Sequence, residues 1–305
     1  MTLPKKVVDA VLLLAHGGPR DLSEVRPLLR RVVKTRPLDH ALIADIKERY
    51  RQIGGYSPLP LGGYTCARQL ERRTGLPIFF ATQYWYPDIS SALQEMRSRN
   101  FERFVALPLS PFFNAFSALG YEGSVRRCMA RAASNMHMRF VDSFERQALF
   151  SAIWGDAIRA HVRRHQDREK TFVLFTAHSI PLTFIKPNDR YVASLHEAAA
   201  RIAHRLSLHQ SHWTVCFQSA PEDKRKWIGP HIEECLPKIA GHGFKHVVVA
   251  PFGFVQDHIE TLYDIDISYA HIARRFNMTL SRPPMPIADT RFSELLSAAV
   301  QGALA

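Results

Sequence analysis

Residues 250–266 read APFGFVQDHIETLYDID and put three carboxylates and an imidazole within two helical turns. Asp257, Glu260, Thr261 and Asp264 fall at i, i+3, i+4 and i+7, so the spacing predicts one helix face carrying all three acids, with His258 at its mouth. Acids on one stripe repel one another, and a cation relieves that repulsion. Imidazoles and carboxylates without a thiolate suit a borderline divalent metal such as ferrous iron, cobalt, nickel or zinc. The same letters carry a second reading. Asp257 and Glu260 also stand as an N-cap and its N3 partner, so D-x-x-E is a candidate capping box that competes for the Glu260 side chain.

The elements that must place these groups are short apolar strands. Residues 11–15 (VLLLA) end in His16-Gly17-Gly18-Pro19, and residues 172–177 (FVLFTA) end in His178-Ser179-Ile180-Pro181. Both deliver Ala-His-x-x-Pro at a strand's carboxyl end. Further echoes keep the same order: residues 77–83 with 213–218, and 101–108 with 244–251. Helical patterns such as 90–100 and 195–206 lie between them, and strand–helix alternation favours parallel sheets with covering helices. The expected fold is α/β: two similar Rossmann-like domains, 1–145 and 146–305, related by a pseudo-twofold and joined near residues 143–150. Each is a four-stranded parallel sheet flanked by helices, and the last helix is free to pack back on the first domain. Ligands of such sheets bind beyond the carboxyl ends of the strands, so His16, His178 and the Asp257 segment should line one cleft.

Composition narrows the class. At 305 residues the chain has ample length for a core, and no apolar run reaches the ~18 residues of a bilayer span. Asp9 interrupts the apolar start, which reads as a first strand and not a signal peptide. Cys66, Cys128, Cys216 and Cys235 are scattered, which fits reduced thiols in a cytoplasmic protein and no zinc, iron–sulfur or disulfide framework. A net charge of +12 favours an anionic partner, yet no nucleic-acid signature accompanies the arginine pairs, so no nucleic acid is expected. Neither half carries a phosphate-binding glycine loop, so no nucleotide cofactor is expected. Tyr84, Trp85, Phe112, Phe113, Phe116, Trp227 and Phe254 gather near strand ends. With Arg30, Arg31, Tyr50 and Ser57 they suit a large flat ligand with acidic substituents. His204, His209, His212, His242 and His246 read as surface or capping residues.

Five stretches together carry a resemblance: LLLAHGGP (12–19), RYRQIGGYSPL (49–59), AHSIP (177–181), FQS with W-I-G-P (217–219, 227–230) and GFVQDHIETLYDID (253–266). In these the chain resembles the ferrochelatases, which insert ferrous iron into a porphyrin, in their compact bacterial form. The resemblance implies chelatase-type domains gripping a porphyrin, in haem synthesis, with iron as substrate and no permanently bound cofactor. It places His178 and Glu260 as the catalytic pair, with Asp257 and His258 in their network and His178, Glu260, Asp264 and His16 toward the metal. His16, Arg30, Tyr50, Ser57, Tyr84, Trp227, Phe254 and His258 fall toward the porphyrin. A neutral imidazole accepts a pyrrole proton or ligates the metal, and which of His178 and Glu260 does which stays open. Family members often carry tyrosine or methionine where this chain has His16, and Ser268 stands where an acidic stripe would continue past Asp264. Coproporphyrin III and protoporphyrin IX both remain open, since Arg30, Arg31 and Arg36 suit either, as does the oligomeric state. The positive charge allows a peripheral contact with an anionic membrane. Two rivals remain: a cobalt or nickel chelatase for an early tetrapyrrole, for which His16 opposite His178 speaks, and a non-catalytic haem or porphyrin carrier.

Overall fold

The computed structural model describes residues 8–33, 38–114, 118–132, 135–164, 167–185, 188–221 and 226–304. Two parallel four-stranded sheets repeat one topology. The first contains β1 (Ala10–Ala15), β2 (Ile78–Thr82), β3 (Arg103–Pro108) and β4 (His137–Phe140), in the order β2-β1-β3-β4. The second contains β5 (Thr171–His178), β6 (Trp213–Gln218), β7 (His246–Ala250) and β8 (Thr279–Ser281), in the order β6-β5-β7-β8. Helices α1 (Val25–Val32), α2 (His40–Gln52), α3 (Leu59–Thr74), α4 (Ile89–Ser98) and α5 (Ala118–Arg131) accompany the first sheet. Helices α6 (Ala148–Val162), α7 (Tyr191–Arg205), α8 (Ile232–Gly241), the one-turn α9 (Ile259–Leu262) and α10 (Ala270–Arg275) accompany the second, and α11 (Phe292–Gly302) closes the chain.

The sequence forms these strands because helices cover both faces of each sheet. Every residue of β1 is buried, and β5 is buried from Thr171 to Ala177, which is why both read as unbroken apolar runs and not as alternations. Along β1 the side chains divide by parity. Ala10, Leu12 and Leu14 face a core with α4 and α5, whereas Val11, Leu13 and Ala15 face α3. That second core continues into the other half through Phe112, Phe150, Trp154, Phe252 and Phe175, and the rings of Phe112 and Phe252 stand 5.1 Å apart. Burying each such aliphatic or aromatic side chain is worth roughly 1.5–3 kcal/mol, so the shared inner core sets the relation of the two strand-end rows firmly.

The chain leaves the first sheet at Phe140, and α6 already packs on α7 and β7. The last helix, α11, returns to lie on α3. Arg73 donates to Ser293 across that contact (3.1 Å), and Arg139 donates to the Ala303 carbonyl (2.8 Å). Trp85 and Phe112, grouped with the ligand-facing aromatics on sequence, are core residues instead. Trp85 is 5 % exposed with its indole N–H on Glu24 (2.7 Å), and Phe112 is 2 % exposed. Burial of the apolar body outweighs their position at a strand end. Phe116 and Arg36 lie outside the described residues.

Candidate active site at the carboxyl ends of β1 and β5

The two matched histidines are held in the same way. Each follows the last residues of a central strand, and each Nδ1 bonds the carbonyl of the next residue: His16 to Gly17 (3.2 Å) and His178 to Ser179. With Nδ1–H committed, Nε2 is the atom presented to the cleft. The Tyr191 hydroxyl donates to the His178 carbonyl (3.0 Å), and the Ser179 hydroxyl donates to the Ile228 carbonyl (2.7 Å). The A-H-S-I-P loop is thereby stitched to W-I-G-P, with Trp227 bridged to Pro181.

His178 Nε2 lies 3.3 Å from Glu260 Oε1, and His258 Nε2 lies 3.5 Å from Glu260 Oε2. Burial alone would disfavour the charge on both partners, but the Glu260 carboxylate overrides it and pushes His178 up to about 9. Glu260 likewise is driven down to about 2, against its own burial, by the facing imidazole. The shifts draw the pair toward imidazolium and carboxylate. His258 behaves oppositely. Burial holds it down at about 4, which favours the neutral ring, and among the described residues its Nε2 has no hydrogen-bond partner. His16 belongs to the same field: burial among the cleft walls lowers its pKa, Glu260 raises it and His178 lowers it, while the residue itself stays open to solvent. Its ring stands 4.7 Å from Tyr84, and that of Phe254 4.4 Å from His258.

The single acidic helix face expected over Asp257 to Asp264 does not form. Helix α9 lasts one turn, and Asp264–Tyr269 is a π-helix in which the Ser268 N–H reaches back to the Tyr263 carbonyl (2.9 Å). Asp257 precedes the helix, whose N-cap is His258, and the single turn gives way at Asp264 to a π-helix of different period, so the 3.6-residue stripe has no continuous helix to rest on. The three acids part accordingly. Glu260 faces His178. Asp257 pairs with Arg282 (2.8 Å) and touches the site only by accepting from Thr261 (3.1 Å), itself near His258 Nδ1 (3.4 Å). Asp264 accepts from Ser219 (2.6 Å) and stands 3.6 Å from Arg49; burial pushes it up to about 6. The capping box is also displaced by one residue: His258 is the N-cap and Thr261 its partner, which leaves the Glu260 side chain free. Among the described residues no three His, Cys, Asp or Glu side chains are arranged to hold a metal ion.

The remaining expected residues divide between floor and rim. Tyr50 is 6 % exposed on α2, and burial together with the nearby Glu260 raises its pKa. Ser57 is buried, caps the Leu59 N–H (3.4 Å) and packs under Gly18, where a Cβ would collide with its hydroxyl. Arg30 points outward on the exposed last turn of α1. Arg31 stacks on Trp85 and Tyr86 and donates to the Tyr86 hydroxyl (2.8 Å). Gly253 allows the turn after β7 to press on β5: a Cβ there would lie 2.6 Å from that of Ala177. Sequence reasoning missed Arg282, Thr176 and Gln218, whose partners are remote along the chain. Only the F-Q-S stretch signalled any of them.

A sequence model of the Ferrochelatase family matches residues 8–304. The chain belongs to the ferrochelatase family. It is 31% identical to a ferrochelatase of Deinococcus radiodurans over 98% of this chain and 97% of that protein. It is 28% identical to a coproporphyrin III ferrochelatase of Halalkalibacterium halodurans, covering 97% of each. Among solved structures it is similar to SirB from Bacillus subtilis with Fe3+, with a TM-score of 0.57, 12% identity, and 97% and 95% of the two chains covered. That likeness bears on the ferrochelatase fold alone.

Proposed function

We infer that this protein is a ferrochelatase, inserting ferrous iron into a porphyrin in haem synthesis. The observation that carries the inference is the family match over nearly the whole chain with His178 and Glu260 facing each other at 3.3 Å. Insertion must release two pyrrole protons as iron sheds its waters. We assign His178 Nε2 to proton acceptance and Glu260 to guiding the cation. The ion pair supports an order of events: a cation arriving beside Glu260 neutralises the carboxylate that holds His178 protonated, His178 releases its proton to solvent, and its freed Nε2 takes the two pyrrole protons in turn, passing each to water. Tyr84, Phe254 and Trp227 are assigned to the macrocycle's faces and edges, over a floor of Tyr50 and Ser57.

His16 in the same electrostatic field as His178 favours a second reading, a cobalt or nickel chelatase for an early tetrapyrrole. One anaerobic assay decides. Purified protein is given ferrous, cobalt or nickel ions with coproporphyrin III, protoporphyrin IX or an early tetrapyrrole, and absorbance is followed. Iron insertion into one of the two porphyrins is expected; activity confined to cobalt or nickel with the early tetrapyrrole would establish the alternative. The four cysteines are free, which supports a cytoplasmic location, and the net charge of +12 supports peripheral contact with anionic lipid. Among the described residues no helix is long and apolar enough to cross a membrane. Co-sedimentation with anionic vesicles that weakens with salt is the expected sign of that contact.

A further inference from the structure

Gln218 ends β6 in register with His178 on β5, and it is completely buried. Its main-chain carbonyl accepts from the Ser179 N–H (2.9 Å), and the Ser179 carbonyl in turn holds His178 Nδ1. Its side chain reaches the other way. Nε2 donates to the Glu260 main-chain carbonyl (2.8 Å), and Oε1 accepts from the Thr176 hydroxyl (2.6 Å). A carbonyl only accepts, so the amide's NH2 end must face Glu260 and its oxygen must face Thr176. Both members of the reactive pair thus hang from one residue. Its neighbour Ser219 adds a tie to the same segment by donating to Asp264 (2.6 Å).

The segment bearing Glu260 needs such a tie. Helix α9 is a single turn, and a π-helix follows it. One turn of helix has little stability of its own, so its position relative to β5 must be imposed from outside. A hydrogen bond from a fully buried amide does this firmly, because breaking it strands a buried donor. On the footing of the iron-insertion reading, we propose that Gln218 is a positioning residue that sets the separation of His178 and Glu260, with Thr176 locking the orientation of its amide.

The test is turnover of ferrous iron into porphyrin by the full chain, measured with KM for each substrate. Gln218→Leu and Gln218→Met both remove the donor to the Glu260 carbonyl and the acceptor for Thr176 at similar bulk. Each is expected to lower kcat by about ten- to a hundredfold, as a displacement near 1 Å does, with KM for porphyrin moved by less than about threefold. Thr176→Val should lower kcat by about threefold or more, and Thr176→Ser, which keeps the hydroxyl, should restore most of it. The Thr176 pair decides the matter even if both Gln218 variants fail to fold. Unchanged kcat in the folded variants, a loss confined to KM, or Thr176→Ser no better than Thr176→Val would overturn the proposal. Wild-type protein inactive on every porphyrin would instead remove the iron-insertion reading itself, and the positioning role with it.

Discussion

The carboxyl ends of β1 and β5 start from one plan and finish differently. Each ends in a histidine whose Nδ1 is pinned to the next carbonyl. At β5 the neighbouring strand β7 is followed by the segment that brings Glu260 within 3.3 Å of the imidazole, whereas Glu260 acts on His16 only through its field. One imidazole is therefore held charged and the other is driven toward neutrality by its surroundings. Duplication supplies a pair of matched positions, and on the proposed assignment a single carboxylate decides which of the two does proton chemistry.

The sharpest way to break this asymmetry is to remove the carboxylate. Glu260→Gln or His178→Ala should lower turnover by about 10²–10⁴-fold, whereas His16→Ala should cost less than about tenfold. Equal losses at 16 and 178 would abolish the distinction. A second difference lies in the backbone. Gly253→Ala sets a Cβ against the main chain of β5, 2.8 Å from Ala177 Cα, while at Gly18 the collision is with the Ser57 hydroxyl and with its Cβ, which turning the hydroxyl does not relieve. Chemical denaturation should show Gly253→Ala and Gly18→Ala each costing about 1–3 kcal/mol.

The stretches that the sequence made legible are those whose burial is complete. β1, β2, β3, β5, β6 and β7 stand out as apolar runs because helices cover them on both sides. The edge strand β4 alternates exposed and half-buried residues, and β8 is three residues long, so neither leaves a run to read. His178 and Glu260 were legible from strand-end placement and motif. The helix around Glu260 was misjudged because a π-helix is a tertiary accommodation with no period in the letters. Arg282 left no signal, and Gln218 only the F-Q-S stretch, because each acts on a partner remote along the chain.

The charge state supplies a subtler contrast. His178 rises from an ordinary 6.5 to about 9, so its stabilising share is complete below about 6.5 and lost as pH rises through 9. Glu260 falls from 4.5 to about 2, so its share is complete above about 4.5 and lost as pH falls through 2. The melting advantage of wild type over a His178→Ala, Glu260→Ala double variant should therefore be greatest between pH 4.5 and 6.5. A flat difference across that range and up to pH 9 would mean the two groups are not paired. The smallest expected effect is spectroscopic: if His16 ligates product iron, His16→Ala should change the absorption spectrum of bound iron porphyrin more than it changes turnover, and an unchanged spectrum removes that role.

The most direct measurement is single-turnover iron insertion by His178→Ala, with porphyrin affinity determined on the same sample. Affinity within about threefold of wild type together with insertion slowed at least about a hundredfold is the expected result. Insertion at the wild-type rate by that variant would contradict the account at its centre.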